Sequence, residues 1–281
     1  MNTPTDIRET VSKTYAKAVT SGGGCCGGSP CSGTVQKGVL AKTAGYDAAS
    51  LAGLPADAVA NSFGCGNPLA FSDVQPGEVV LDLGSGAGID LIIAAKKVGP
   101  NGRVIGVDMT DEMIARARTN IATAGHANIE IRKGYIEELP VEGGSVDWVI
   151  SNCVINLSPD KPRVFREIAR ALKPGGRMRV SDIVAEDLPS AIRENAALYS
   201  SCVAGAISEE SYLAGLRAAG LVEVEVLERQ VYGAEQLTAL VDSELRLDAD
   251  IVALARQVEG RVWSAIVVAR RPGGASCRSV S

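Results

Sequence analysis

Apolar and polar positions follow a strand–helix–strand rhythm along residues 78–184. Short apolar runs such as residues 79–83 end at glycines, which is typical of strands buried in a parallel sheet. The predicted strands are 79–83, 103–108, 129–133, 146–151 and 177–184, and the predicted helices are 89–98, 111–124 and 162–172. Because strands and helices alternate, we predict an α/β fold with a doubly wound, mostly parallel sheet and helices on both faces.

The pattern changes on both sides of this core. Residues 6–18 predict a helix, and residues 21–38 have the glycine-rich composition of a flexible loop. Beyond residue 184 we predict helices at 190–206 and 209–219, strands at 221–227 and 262–270, and a mostly helical stretch at 234–258. The chain therefore divides into a cysteine-bearing N-terminal arm (1–73), a core (74–184), C-terminal helical and strand additions (185–271) and a flexible tail (272–281).

Composition limits the class of protein. Hydrophobic residues make up 46% and charged residues 22% of the 281 residues, as in ordinary globular proteins. The net charge of −5 provides no general attraction to nucleic acid or to an anionic membrane. The first residues are charged and lack the apolar run of a signal peptide. We expect a cytoplasmic protein with no nucleic-acid or membrane partner.

The seven cysteines are too few for a disulfide scaffold, and in a reducing compartment their thiols are expected to be free. No Cys-x-x-Cys pair marks a structural zinc site, and the single histidine, His126, excludes a multi-histidine metal site. We expect His126 on the surface. The cysteines are Cys25, Cys26 and Cys31 in the glycine-rich loop, Cys65 before the first strand, Cys153 after the fourth, Cys202 in a predicted helix and Cys277 in the tail.

The sharpest local motif is the sequence DLGSGAG at residues 82–88, between the first predicted strand and its helix. Glycine permits close approach of a backbone to a ligand. Asp108 ends the next strand, where its carboxylate can accept hydrogen bonds from two ribose hydroxyls. A dinucleotide fingerprint that began at Gly84 would require glycine at position 89, which is Ile89. A nicotinamide cofactor is therefore the less favoured ligand for this glycine loop.

The alternating glycines after an aspartate resemble the first motif of the class I S-adenosylmethionine (SAM) methyltransferases, which have a Rossmann-like fold. Two further segments fit the resemblance: GYIEELP at 134–140, which covers the adenine in that family, and LKPGG at 172–176. Ile136 alone is equally compatible with a core position. The resemblance implies that the core binds SAM through Asp82, Gly84, Gly86, Gly88, Asp108, Met109, Ile136 and Glu137.

Three of the cysteines, in independent segments, are placed where they can face one pocket, and thiolates are soft ligands that suit trivalent arsenic. The sequences GCG at 64–66, DWVISNCVINL at 147–157 and CVAGA at 202–206 together resemble the arsenite methyltransferases, over about residues 61 to 220. The resemblance implies that Cys153 and Cys202 are the main arsenic ligands and Cys65 the third. One of Cys25, Cys26 and Cys31 would be the fourth, Phe63 would lie near the methyl group, and residues 185–271 would include an arsenic-binding lid.

This family resemblance implies methyl transfer from SAM to thiol-bound trivalent arsenic, for arsenic detoxification. A cysteine pair would return electrons by forming a disulfide, which a thiol reductant such as glutathione or thioredoxin then reduces. Two alternatives stay open: a SAM methyltransferase of another small molecule, with Asp160 as the nearby candidate base, and a non-catalytic thiol protein that binds metalloids. The intact glycine loop argues against the latter. We also expect SAM binding to survive deletion of residues 1–38.

Overall fold

The structure is a computed structural model that describes residues 4–20, 46, 51, 53–62, 64, 66–69, 72–195, 199, 202–233 and 257–273. Several sequence predictions fall outside these residues. They concern Phe63, the cysteines Cys25, Cys26, Cys31, Cys65 and Cys277, and most of the stretch 234–258. Those predictions stand as sequence-based expectations only.

The described residues form a seven-stranded sheet with the order β3-β2-β1-β4-β5-β7-β6. Strands β1 to β5 run parallel, whereas β7 runs antiparallel to both β5 and β6. The strands are β1 (Val79–Leu83), β2 (Arg103–Asp108), β3 (Ile129–Lys133), β4 (Val146–Asn152), β5 (Leu172–Ala185), β6 (Val222–Val231) and β7 (Val262–Arg270). The predicted doubly wound, mostly parallel sheet is confirmed.

The helices are α1 (Pro4–Thr20), α2 (Ala56–Ala60), α3 (Ile89–Val98), α4 (Asp111–Ala124), α5 (Lys161–Ala171), α6 (Ser190–Arg193) and α7 (Glu209–Ala218), with a 3-10 turn at Ile155–Leu157. From β1 the chain builds the sheet outward through β2 and β3, then crosses to the other side for β4 and β5. Ligands of such sheets bind beyond the carboxyl ends of the strands where the order reverses. The fold therefore directs a ligand to the ends of β1 and β4.

Both faces of the central strand are buried, as its continuous apolar run predicts. Val80 packs with Leu91 on one face, whereas Leu81 packs with Phe165 and Ile168 on the other. Within the part of the chain that is described, no helix combines the length and the apolar character that a bilayer crossing requires.

Two predicted elements differ from the structure. β5 begins at Leu172, so the Lys-Pro-Gly-Gly segment predicted to end a helix lies within the strand. The predicted helix 190–206 is not continuous, because α6 ends at Arg193 and residues 202–205 form a turn. That turn packs closely against the 3-10 turn at Ile155–Leu157, so that a Cβ on Gly205 would lie 2.1 Å from the Asn156 carbonyl oxygen. Cys202 therefore lies in a turn rather than on a helix.

Candidate functional site

A cleft of about 930 Å³, measured with its open mouth, lies at the carboxyl ends of the parallel strands. Six of the predicted cofactor residues line it: Gly84, Gly86, Asp108, Met109, Ile136 and Glu137. Two others lie behind its wall. Asp82 is buried at the end of β1, and Gly88 caps α3 and packs against Ala117. The structure thus brings these loop residues together at the strand ends where the order reverses.

The glycine loop is shaped by close contacts on one side and a hydrogen bond on the other. Gly84 has φ +66°, and a Cβ there would lie 2.5 Å from the methyl groups of Val154. The amide of Gly86 donates to Asp108 Oδ2 at 2.9 Å, and the amide of Thr110 donates to Asp108 Oδ1 at 2.8 Å. Asp108 therefore fixes the loop, and the backbone of the loop forms a wall of the cleft.

Three carboxylates are buried around this loop. Burial raises the pKa of Asp82 well above its usual range, and the nearby Asp90 and Asp108 raise it further. Burial also raises the pKa of Asp90, to about 6, and that of Asp108, although hydrogen bonds to both carboxylates oppose the shift. Clustered acids in a low-dielectric site favour a cationic ligand, because its charge offsets their mutual repulsion.

Asn152, at the end of β4, ties the cleft to the chain ahead of β1. Its side-chain amide donates to the Gly66 carbonyl at 2.6 Å and accepts from the Gly66 amide at 3.1 Å. It also donates to Asp90 Oδ2 at 3.3 Å, and the Tyr46 hydroxyl donates to Asp90 Oδ1 at 2.7 Å. The sequence pattern did not predict a role in the site for Tyr46, Asp90 or Asn152. Asp90 has the appearance of a first-turn helix acid, and Tyr46 belongs to no patterned element.

Helix α1 covers part of the cleft. The Arg8 guanidinium pairs with Glu137 at 3.1 Å and lies 4.9 Å from the ring centroid of Tyr135. Glu137 is 3% exposed and also accepts a 2.7 Å hydrogen bond from the Ser158 hydroxyl. Arg8 and Tyr15 of α1 line the cleft. Deleting residues 1–38 would remove part of the wall of the cleft. These contacts therefore argue against the expectation that SAM binding survives that deletion.

The two described cysteines meet at the edge of this cleft. Cys153 follows β4 and lines the cleft, and the Cys202 thiol donates to the Cys153 carbonyl oxygen at 2.7 Å. Both residues are buried, and both have left-handed backbones, with φ of 59° and 62°. Such conformations are uncommon in residues other than glycine, and they cluster at functional sites. Chain folding thus unites two residues that are 49 positions apart.

The redox states of these two cysteines differ. Cys153 is disulfide-bonded, whereas Cys202 is not part of a disulfide. Gly64 and Gly66, on either side of position 65, both lie against Asn152, the residue before Cys153. The involvement of Cys65, Cys25, Cys26 and Cys31 remains a sequence-based prediction.

A buried lysine that the sequence did not single out, Lys161, lies near Cys202. The Lys161 ammonium donates to the carbonyl oxygens of Asn156 at 3.2 Å and Ser158 at 3.1 Å. Burial lowers its pKa to about 8, although the charges of nearby groups, including Asp182 and Cys202, oppose this. His126 lies at the surface, as expected, in the loop between α4 and β3, and its side chain is partly exposed. That loop is at the opposite end of the strands from the cysteines.

Comparisons with known proteins agree with this geometry. A family described as a methyltransferase domain matches residues 75–228. The arsenite methyltransferase of Halobacterium salinarum is 46% identical over 79% of this chain and 59% of its own length. That of Aquipseudomonas alcaligenes is 41% identical over 61% of this chain and 51% of its own length. The chain thus spans only about half to three fifths of these two relatives.

A solved structure extends the similarity to the fold. The arsenic(III) S-adenosylmethionine methyltransferase of Chlamydomonas reinhardtii superimposes with a TM-score of 0.65 and 34% identity. The match covers 80% of this chain and 72% of that one. Together with the match to the methyltransferase domain, it establishes that this chain belongs to the SAM-dependent arsenite methyltransferase family.

Proposed function

We propose that this protein transfers the methyl group of SAM to trivalent arsenic held by its cysteines, and so contributes to arsenic detoxification. The observation that carries the proposal is the contact between the Cys202 thiol and the Cys153 backbone at the edge of the cleft. Two cysteines beside the cleft that we assign to the methyl donor suit a soft, thiophilic acceptor once Cys153 is reduced. We place the reaction in the cytoplasm, where thiol reductants are abundant.

We assign the cleft to SAM, whose sulfonium supplies an electrophilic methyl group. The buried acids around the glycine loop suit a cofactor that carries positive charge, and we assign Asp108 as the acceptor of hydrogen bonds from the ribose. Ile136 and Glu137 line the part of the cleft assigned to adenine, together with Met109. The prediction that Phe63 lies near the methyl group belongs to this assignment.

We assign the arsenic to the thiolates of Cys153, Cys202 and Cys65, with one of Cys25, Cys26 and Cys31 as a further ligand. Three thiolates leave the arsenic lone pair free to form a bond to the methyl carbon while the bond from that carbon to the sulfonium sulfur breaks and S-adenosylhomocysteine leaves. The protein therefore needs no general base. Holding both reactants in line could supply up to about 7–11 kcal/mol of the barrier. Methyl transfer formally oxidises arsenic to the pentavalent state by two electrons.

A cysteine pair can return those two electrons to arsenic by forming a disulfide, which cellular thiols then reduce. The disulfide at Cys153 supports this proposal, because Cys153 also lines the cleft. Glutathione or thioredoxin is the class of reductant we propose. The alternative of a SAM methyltransferase for another small molecule provides no role for this arrangement.

Arsenite binding should require prior reduction of the protein. The reason is that arsenic bonds to thiolates, and the disulfide leaves Cys153 without one. Mass spectrometry after alkylation should count at least two more reactive cysteines in reduced protein, and bound arsenic should increase strongly in the same samples. Equal arsenic binding by oxidised and reduced protein would remove Cys153 from the ligand set.

SAM affinity should increase as the pH rises through about 6, the pKa of Asp90. Asp90 is partly protonated in the free protein near this pH and must ionise to attract a cation, so binding releases protons and strengthens with pH. Calorimetry between pH 5 and about 7.5 measures this. S-adenosylhomocysteine, which lacks the sulfonium charge, is the matched ligand and should show a smaller increase. Identical pH profiles of affinity for the two ligands would show that ionisation of the acids does not change the attraction for the sulfonium.

A further inference from the structure

Asn61 is held in one orientation at the end of α2. Its side-chain nitrogen donates to the Asp57 carbonyl at 2.9 Å and to the Asp57 carboxylate at 3.0 Å. An amide oxygen in that place would face two acceptors, so the hydrogen bonds themselves determine which way the amide points. Both amide hydrogens are used, and the carbonyl oxygen must point away from Asp57.

That oxygen, Oδ1, is buried and has no hydrogen-bond partner among the described residues. Asn61 as a whole is 3% exposed and lines the cleft. Buried acceptors without partners are rare in folded proteins, and each one needs an explanation. A ligand in the cleft that offers an N–H or O–H donor would explain this one.

The support behind Asn61 connects it to the glycine loop. Asp57 accepts from the Arg116 guanidinium at 2.7 Å and from the Asn120 amide at 3.2 Å. The same Asn120 amide donates to the Ala87 carbonyl at 3.0 Å, and Ala87 belongs to the glycine loop. Asn61 is therefore pre-positioned relative to the loop, as a ligand contact requires.

We propose that Asn61 binds the cofactor directly, with Oδ1 accepting a hydrogen bond from the methionyl–ribose half of SAM. Two groups in that half offer suitable donors: the α-ammonium and the ribose hydroxyls. The adenine amine is the less suitable donor, because we assign adenine to the side of the cleft that Ile136 and Glu137 line. The inference rests on the proposed placement of SAM in this cleft.

Calorimetry with two ligands tests the contact without any arsenic. Asn61→Ala should weaken S-adenosylhomocysteine binding about tenfold, the effect of one lost hydrogen bond to a charged group. 5′-Methylthioadenosine retains the ribose and adenine but lacks the amino acid. If its affinity is unchanged in Asn61→Ala, the donor is the ammonium; if its affinity also falls, the donor is a ribose hydroxyl.

Two further variants separate the contact from local packing. Asn128→Ala is the matched control, because that amide donates to the carbonyls of Gly99 and Gly102, away from the cleft, and its loss should not change affinity. Asp57→Ala removes the carboxylate that holds the Asn61 amide but keeps Asn61 Oδ1 as an acceptor. Ligand affinity should therefore fall less than in Asn61→Ala. Melting temperatures verify folding.

Unchanged affinity of Asn61→Ala for both ligands would overturn the inference, as would an equal or larger loss in Asp57→Ala. Asp108→Ala, measured in parallel, reports on the cleft itself. If Asp108→Ala weakens binding and Asn61→Ala does not, the contact alone is wrong. If neither variant weakens binding, the placement of SAM in the cleft is wrong as well.

Discussion

Cys153→Ser and Cys202→Ser should each abolish methylation of every arsenic substrate, with SAM affinity retained. Serine has nearly the shape of cysteine, but its hydroxyl does not ionise near neutral pH and binds soft arsenic poorly. Both side chains are buried where the two backbones meet, so each substitution removes one sulfur ligand from the same place. Turnover, SAM affinity and melting temperature, measured under reducing conditions, check the prediction.

Cys277→Ser is the matched control, since no role in the reaction is assigned to the tail cysteine, and its turnover should equal that of the unmodified chain. If Cys153 and Cys202 were simply small buried residues, serine would lower stability by burying a hydroxyl. Turnover per folded molecule would then survive. Variants with lower melting temperatures but near-normal turnover would contradict the assignment of arsenic to these cysteines.

Asp108→Ala should weaken SAM binding by roughly 10- to 150-fold, which corresponds to about 1.5–3 kcal/mol for charge-assisted hydrogen bonds. Its carboxylate is the proposed ribose ligand, and it also accepts the amides of Gly86 and Thr110, so alanine loosens the glycine loop as well. Arsenite binding should hardly change, because the cysteines come from β4 and the turn at 202–205. Calorimetry with each ligand separately measures both effects.

Asp111→Ala is the control for this substitution. Asp111 lies three positions along the chain and pairs with Lys133 on the surface, with 72% of its side chain exposed. SAM affinity should be normal in that variant. If Asp108→Ala bound SAM as tightly as Asp111→Ala, Asp108 would not belong to the cofactor site.

The core of the fold could be predicted from sequence because its signals are local. An apolar run that ends at glycines marked β1, and short segments of apolar or alternating residues marked β2 to β4. Each of these four strands is found within one residue of its predicted bounds. The glycine loop and Asp108 follow from spacing along these strands, and they do meet at the cleft. The likeness to arsenite methyltransferases depended on the sequences around Cys65, Cys153 and Cys202.

Contacts between residues that are far apart in the chain could not be predicted from the sequence. Arg8 precedes Glu137 by 129 residues, and nothing in the helical pattern of α1 indicates that it covers the cleft. Asn61 and Asn152 are ordinary loop and strand-end amides until folding shows what surrounds them. The predicted helix 190–206 was also wrong: residues 202–205 form a turn, and Gly205 packs so closely against the Asn156 carbonyl oxygen that a side chain there would clash.

Arsenic as the methyl acceptor can be tested in a single assay. Reduced protein is incubated with arsenite, glutathione and SAM labelled in its methyl group, and the arsenic species are then separated. Methyl transfer to thiol-bound arsenic predicts label in methylated arsenicals, in amounts that depend on protein and vanish in Cys202→Ser. Protein that binds SAM and arsenite yet yields no labelled arsenical would show that arsenic is not the methyl acceptor.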